Sequence, residues 1–481
     1  INALQREVMP GGRSVISDNA FYLTVKKDAD RWGFGAEIFS IGPHYTTEFR
    51  SYIGRDERDT SGNPIAYNNT MIHRLIEDND DEDRYPDSWY NNAPSGLQGQ
   101  SDVDGVFPGL DEDKDGIPDT NKNFNAIPDY QEPFLMYTAD PPIYDFGEDA
   151  NHNDVIDDRE NDIVADLPYH IDLRGVHSYL SIWPLRGMSV TLGVKDTRQI
   201  AGSAPDRSFY SRARYRRQIP SLGDLLASAS IERIEDGIED ELSVYSDRVL
   251  TVAEQFELDF AGLQRNIKVA PFLEGPREDP MLFLNSTRSR LYVDTKWGGV
   301  NSAWKIRNKI KFESNNQHAG EVYDGRIQEG RRLNRCTMVN ALDYQWELGS
   351  RVRLFSGIKM RYRREWNSMD KDDTANERHT IPIAKMQYRL TERTRFHLGV
   401  QGVGFLLPYR VEDSADSNNT FKQFDAVAMV SNNSKYFGYI VSTNAGISRR
   451  NKEYENSEIG TVGDEEFVSA FINVIVGFEA E

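Results

Sequence analysis

An acidic segment between residues 79 and 160 places side-chain oxygens at alternate positions, in four stretches that share one spacing. The clearest stretch, residues 111–119, reads D-x-D-x-D-G-I-P-D. Oxygens at positions 1, 3 and 5 of a tight loop converge on one point, and positions 7 and 9 add more. A Glu at position 12 can add two further oxygens. Because calcium takes about six to eight oxygen ligands, this spacing predicts calcium binding.

The four stretches differ in how completely they supply these ligands. The stretches that begin at Asn121 and Asp149 carry Glu132 and Glu160 at position 12, so we expect them to be occupied first. The stretches that begin at Asp111 and Asn79 have Lys122 and Tyr90 there, and must be completed differently or bind weakly. We predict about two to four structural calcium ions, with ligands from Asp111, Asp113, Asp115, Ile117, Asp119, Asn121, Asn123, Asn125, Ile127, Asp129, Glu132, Asp149, Asn151, Asn153, Val155, Asp157, Glu160, Asn79, Asp81, Asp83 and Asp87.

These loops resemble the EF-hand-like calcium loops of dockerins and thrombospondin type-3 repeats. Of the four, the loop with Gly116 keeps glycine at position 6. Pro118, Pro128 and Pro86 occupy position 8, where proline discourages the exiting helix of a true EF-hand. The resemblance therefore implies static, structural calcium rather than a sensor. The alternative is a disordered acidic linker, and we expect disorder when the metal is absent.

The net charge of −21 comes from this same part of the chain. Residues 77–166 contain 26 Asp and Glu against 4 Lys and Arg, which leaves the remainder close to neutral. The acidity therefore indicates cation binding in one inserted unit rather than an acidic protein as a whole.

From about residue 178 onward, apolar and charged residues alternate over long runs. Residues 304–312, 342–347, 351–363 and 396–401 show the pattern most clearly. Successive side chains of a strand point to opposite faces, so each strand would have one apolar and one polar face. The runs exceed the roughly 5–6 residues usual in soluble strands. Tight turns, expected near residues 184–187, 298–301, 349, 391–394 and 432–434, alternate with long polar loops between them, as in outer-membrane barrels.

The chain resembles a porin-like outer-membrane β-barrel of a Gram-negative bacterium. The stretch from Phe467 to Phe478 is similar to the apolar C-terminal strand of such proteins, although three residues follow it. We expect an all-β fold, a large antiparallel transmembrane barrel of about 16–18 strands. Residues 1–76 would supply N-terminal strands, residues 77–166 a calcium-binding insertion that forms an external loop or a plug, and residues 167–481 the main barrel. A soluble β-sandwich is the alternative.

If the apolar face meets lipid, the basic side chains face the lumen, because a charge on the lipid face costs about 2–4 kcal/mol at mid-membrane. Basic rows along a pore would favour anions. Equally, these residues could pair with acidic residues on neighbouring strands. The predicted pore-lining residues are Arg212, Arg214, Lys305, Arg307, Lys309, Lys311, Arg351, Arg353, Lys359 and Arg361.

Other features bear on the class of protein. The best apolar run is 11 residues long, against the roughly 20 that a membrane-spanning helix needs. Cys336 is the only cysteine, so disulfides cannot hold the fold. The chain opens on Ile1 with no signal peptide, which we interpret as processing or truncation.

A search for catalytic motifs finds little. The eight histidines form no H-x-x-x-H or H-E-x-x-H pair, and neither a G-x-S-x-G elbow nor a phosphate-binding loop is present. His379 and His397 lie on neighbouring predicted strands, where we expect wall residues. We do not expect an enzyme.

Three functions remain open. The first is an outer-membrane channel or transport barrel with its calcium segment facing outside. The second is a membrane-anchored scaffold whose calcium domain holds a surface protein, glycan or another subunit. The third is a secreted calcium-stabilised β-protein. Outer-membrane lipid is the expected partner for the first two, and nucleic acid is not expected.

Overall fold

A computed structural model describes residues 18–45, 48–52, 70–74, 129–149, 152, 156, 169, 171–220, 222–238, 242–249, 269–277, 284–298, 302–368, 375–402, 407–414, 420–436, 439–455 and 464–478. The strands are β1 (Ala20–Asp28), β2 (Trp32–Ile41), β3 (Glu48–Tyr52), β4 (Thr70–Arg74), β5 (Leu173–Ile182), β6 (Met188–Gln199), β7 (Pro205–Ile219), β8 (Gly223–Asp236), β9 (Leu242–Val249), β10 (Val269–Arg277), β11 (Ser286–Trp297), β12 (Trp304–Gln317), β13 (Gly320–Glu321), β14 (Ile327–Gln328), β15 (Arg331–Leu348), β16 (Val352–Asn367), β17 (Asn376–Arg389), β18 (Thr394–Gln401), β19 (Tyr409–Asp413), β20 (Phe421–Tyr436), β21 (Tyr439–Tyr454) and β22 (Glu465–Phe478). Three short 3₁₀ helices span Asp129–Gln131, Leu135–Tyr137 and Pro142–Tyr144.

Sixteen of these strands form one antiparallel sheet, which confirms the expected all-β fold. The order is β1-β2-β5-β6-β7-β8-β11-β12-β15-β16-β17-β18-β20-β21-β22, and β19 pairs with β17 and β20. Three hairpins, β3–β4, β9–β10 and β13–β14, pair apart from it. Among the pairings of the described residues, β1 and β22 are the two outer strands of the sheet. None of the helices described is long and apolar enough to cross a membrane.

Short turns join the strands at one edge of the sheet, here called the turn edge. The connections at the opposite loop edge are longer, except the short link from β6 to β7. Gly187 fits the turn after β5 because its φ is +82° and a Cβ there would lie 2.2 Å from the Arg216 carbonyl oxygen. The turn expected at residues 432–434 is wrong. Asn432 and Ser434 instead continue the ladder of β20 against β21, and Asn432 also donates to Thr394 Oγ1 at 2.8 Å.

The pairing register collects apolar side chains on one face. Leu180 is opposite Leu192, Leu342 is opposite Ile358, and Met386 is opposite Leu398. Several members of this apolar face are strongly exposed, including Leu180, Leu192, Phe209, Ile231, Leu291, Leu342, Leu398, Val430 and Ile447. We call this the outer face.

The opposite, inner face carries the residues that alternate with these apolar side chains along each strand. A part of the chain that connects strands at the loop edge covers this inner face. This part, the enclosed segment, comprises residues 129–149 with His152, Ile156 and Tyr169. Met136 and Tyr137 of the segment pack with residues of β17 and β19 in a buried apolar cluster that also contains Ile381, Ile383, Tyr409 and Val411. The core therefore lies between the enclosed segment and the sixteen-stranded sheet, which we call the wall. This shows that the sheet curves around the segment.

Candidate functional site

A buried lysine of the wall holds the middle of the enclosed segment. Lys359 Nζ donates to the carbonyl oxygens of Met136 and Ala139, each at 2.9 Å, and lies 2.7 Å from Asp140 Oδ1. The Lys359 side chain is 2 % exposed. Burial alone would raise the pKa of Asp140, but the charges of Lys359 and two neighbouring wall cations hold it below its usual value. Asp140 is therefore ionised, and the pair is an inner anchor of the segment.

Tyr137 reaches deepest toward the turn edge. Its hydroxyl donates to Asp343 Oδ1, and its ring stands edge-on to Phe355 at 5.9 Å. Burial and the Asp343 carboxylate raise the pKa of Tyr137, so it stays a donor. A Cβ at Gly357 would lie 2.2 Å from the tyrosine hydroxyl. Only glycine leaves this space, so the wall has a recess shaped to Tyr137.

The side-chain amide of a wall glutamine binds the first part of the enclosed segment. The backbone N–H of Phe134 donates to Gln401 Oε1 at 2.6 Å. Gln401 is fully buried, and a Cβ at Gly399 would meet the Phe134 ring at 3.0 Å. These contacts fix the segment against β18.

Farther along, β11 binds the segment through stacking and two arginines. Phe146 stacks on Tyr292 with ring centroids 4.5 Å apart and planes 3° apart. Arg290 donates to the Gly147 carbonyl oxygen at 3.1 Å, and Arg288 forms a buried ion pair with Asp149. Positive side chains of the wall thus neutralise part of this acidic segment.

His152 lies at the loop edge among three carboxylates. Its Nε2 is 3.3 Å from Glu232 Oε1, and its Nδ1 is 3.5 Å from both Asp206 Oδ1 and Asp236 Oδ2. All four residues are buried. Burial alone would lower the pKa of His152, but the three carboxylates outweigh it and raise the pKa well above its usual value. When no other cation is present, His152 therefore carries a proton.

Tyr169 provides the contact between the enclosed segment and β2. Its ring stacks on Phe39 at 3.6 Å, and its hydroxyl donates to Glu37. The enclosed segment is consequently in contact with strands from β2 to β19, which leaves it bound around the inner face.

The predicted pore-lining residues occupy several environments. Arg212 pairs with Glu148 of the segment at 3.0 Å, while Arg307 lies 3.5 Å from Asp343 and Lys311 lies 3.3 Å from Glu313. Lys359 and Arg361 are buried beside the segment. Nearer the turn edge, Arg214, Lys305, Arg351 and Arg353 are exposed, and Lys309 is half-buried. Pairing with carboxylates accounts for many of them, including the exposed Arg353, which lies 3.1 Å from Glu347.

The predicted calcium ligands fall mostly outside the described residues. The exceptions are Asp129, Glu132 and Asp149. Asp129 is buried, and the Glu132 amide donates to the Asp129 carbonyl oxygen at 3.1 Å. Asp149 Oδ2 accepts from Arg288, so the wall already occupies this carboxylate oxygen. The calcium loops stay a prediction.

Sequence reasoning gave no role to His152 and did not connect it to the wall. Its partners are 54 or more positions away in the chain, and no local spacing links them. The one available signal was an imidazole in a segment otherwise rich in carboxylates. For Gly357, an isolated glycine within a strand pattern was the corresponding signal.

No family model matches the chain, so the resemblance of its loops to calcium repeats gains no support there. No curated protein matches it either. Among solved structures, it is similar to the copper transporter OprC, with 10 % sequence identity and a TM-score of 0.29. That match covers 64 % of this chain, and the chain spans about half the length of OprC, at 50 %.

Proposed function

We propose that the chain is an outer-membrane β-barrel that forms a channel or transport pore, with the enclosed segment as its plug. The observation that carries the proposal is the contrast between the two faces of the sheet. Leu342 on the outer face is 49 % exposed, whereas its neighbour Ala341 on the inner face is 4 % exposed. An apolar outer face with a charged, covered inner face is the reverse of a soluble protein.

Aromatic residues near the turn edge support a membrane boundary. Trp304 is opposite Tyr344, and the Tyr344 and Trp346 rings lie 4.7 Å apart. Trp32 on β2 is also exposed, at the same edge. Such aromatics form the girdles of outer-membrane barrels at the interface between lipid and water.

Because buried contacts anchor the enclosed segment, transport would require the segment to move. Lys359, Arg288 and His152 tie the segment to three separate parts of the wall. A seated segment occupies the space through which a solute would pass, so conduction requires its displacement. A calcium-stabilised external portion, formed by the predicted loop residues outside the enclosed segment, would then adjoin the plug on the loop-edge side.

Planar-bilayer recording tests the channel. The wild-type protein should conduct little, and Lys359→Met, which removes the cation beside Asp140, should raise the open probability. Lys305→Met is the matched control, because Lys305 is an exposed cation of the same face. Absence of current from both variants, in barrels that insert and show heat-modifiable gel migration, would refute the channel.

The second candidate function is a membrane-anchored scaffold. The observation that favours it is the extent of the enclosed segment, which contacts the wall from Phe39 in β2 to Tyr409 in β19. A permanently filled barrel would serve as an anchor, with loop-edge residues left to hold a surface protein, glycan or subunit. The same recordings separate the two functions.

A further inference from the structure

The His152 cluster has the geometry of a metal site. Nδ1 of His152 is 3.5 Å from one oxygen of Asp206 and 3.5 Å from one oxygen of Asp236. Both distances exceed the roughly 2.7–3.2 Å of an N–H···O hydrogen bond. The histidine is 2 % exposed and the two aspartates 3 % and 5 %. Three polar groups therefore approach one point inside the protein.

The distances between these atoms match those around a small divalent ion. Zinc binds imidazole nitrogen and carboxylate oxygen at about 2.0–2.2 Å, so two ligands of a tetrahedral ion lie about 3.4 Å apart. The three ligand atoms of His152, Asp206 and Asp236 all lie within 4.8 Å of one another. An ion among them needs only small shifts of the side chains.

In each of the three residues, the polar atom that points away from the shared point has a partner of its own, as is usual for metal ligands. His152 Nε2 is 3.3 Å from Glu232 Oε1, and a carboxylate on the far nitrogen is the usual support of a metal-binding histidine. Asp206 Oδ2 accepts from Thr197 Oγ1 at 3.0 Å and pairs with Lys195. Asp236 Oδ1 accepts from the Ile238 amide at 2.9 Å. Each residue thus turns one atom toward the shared point.

One of the inward atoms lacks a hydrogen bond. Among the described residues, Asp206 Oδ1 has no hydrogen-bond partner, although its residue is buried. A buried carboxylate oxygen without a donor is costly. A cation between Asp206, Asp236 and His152 would satisfy it.

We propose that His152, Asp206 and Asp236 bind one first-row divalent transition metal ion such as Zn²⁺, with Glu232 as a positioning residue. Calcium takes oxygen ligands, whereas an imidazole nitrogen favours zinc and its neighbours. The site is therefore different from the predicted calcium loops.

The metal would cross-link three elements. His152 belongs to the enclosed segment, Asp206 is the second residue of β7, and Asp236 is the last residue of β8. An ion bound there fixes the segment to the wall at the loop edge. The competing occupant is a proton on His152, which would bridge the carboxylates as an imidazolium.

Metal titration of the full-length folded protein in detergent tests the site, independently of whether the barrel conducts. Calcium is kept saturating to fill oxygen-only loops, and the metal-stripped protein is titrated with Zn²⁺ or with Co²⁺. We expect one equivalent of tightly bound Zn²⁺ and the visible absorption bands of four-coordinate Co²⁺.

Variants decide which residues bind. Glu232→Gln should weaken Zn²⁺ binding about 10- to 100-fold, as expected for a supporting residue. His152→Gln, Asp206→Asn and Asp236→Asn should each weaken it by at least that factor. Asp196→Asn is the matched control, since this nearby aspartate is 54 % exposed on the outer face. It should bind as the wild type does.

Two outcomes overturn the site. If the wild type binds no Zn²⁺, the cluster holds a proton rather than a metal. If His152→Gln and Asp236→Asn bind Zn²⁺ as tightly as the wild type, the metal lies elsewhere. Each variant is first checked for heat-modifiable migration, and Asp236→Asn, which leaves the enclosed segment unaltered, decides if His152→Gln does not fold.

Discussion

Lys359 of β16 lies 2.7 Å from Asp140 of the enclosed segment, and this ion pair is buried inside the curved sheet. Removal of one partner from a buried pair costs about 3–5 kcal/mol, since it leaves the other charge buried and unpaired. We expect Lys359→Met to release residues 129–149 from the wall.

Hydrogen exchange measures that release. Amides of the segment should exchange faster in Lys359→Met, with the wall strands unchanged, whereas Lys305→Met should match the wild type. Equal protection of the segment in Lys359→Met and the wild type would contradict the assignment of this pair as an anchor.

Gly357→Ala should also unseat Tyr137. The new Cβ would lie 2.2 Å from the tyrosine hydroxyl and 3.0 Å from Asp343 Oδ1, so the hydrogen bond between them must break or shift. We expect a loss of about 1–3 kcal/mol in segment binding, the usual cost of overpacking. Tyrosine fluorescence and proteolysis of the segment report it. Gly330→Ala is the control, because its Cβ would meet ordinary contacts at 3.6 Å.

Acid should loosen the segment through Asp140. Its pKa in the folded protein lies below the usual value of 3.8, so its contribution to stability is present above pH 3.8 and is lost as the pH falls through the lowered pKa. Relative to the intrinsic exchange rate at each pH, the protection of amides in residues 129–149 should therefore fall below about pH 4. Asp140→Asn should exchange faster at neutral pH and lose this part of the acid dependence. An unchanged acid profile in Asp140→Asn would exclude Asp140 as its source.

A charge on the outer face should impair membrane insertion. Leu342→Arg places a cation on the apolar face, at a cost of about 2–4 kcal/mol if that position is near mid-membrane. Its folded fraction in lipid vesicles should drop, as judged by heat-modifiable migration. Ile327→Arg is the control, because Ile327 is 77 % exposed in a hairpin apart from the main sheet. Equal folding of the two variants would argue for a soluble protein.

Chelation tests the predicted calcium loops. If residues 77–166 bind structural calcium, a chelator should lower the melting temperature and open this stretch to protease. Asp113→Ala together with Glu160→Gln should give a partial version of the same effect without chelator. Unaltered melting and protease resistance after chelation would refute the loops, while Zn²⁺ binding at His152 is read separately by titration.

The sequence alone determined the strands and their two faces. Alternation in 304–312 and 351–363 is a local property, because each side chain's face follows from its parity along the strand. For the same reason, Lys359 and Arg361 could be assigned to one face, and a fold of about 16–18 strands could be expected. The turn at residues 432–434 failed because cross-strand partners such as Thr394 kept polar residues within a strand.

Only the tertiary structure decided where residues 129–149 of the acidic segment lie and what holds them. The sequence left an external loop and a plug equally open, since charge composition does not specify a binding surface. The partners of His152 at Asp206, Glu232 and Asp236 come together through the pairing of β7 with β8. Likewise, the recess at Gly357 exists only because β15 and β16 pair in one register. Long-range contacts of this kind carry no local sequence signal, because their geometry depends on how the whole sheet curves around the segment.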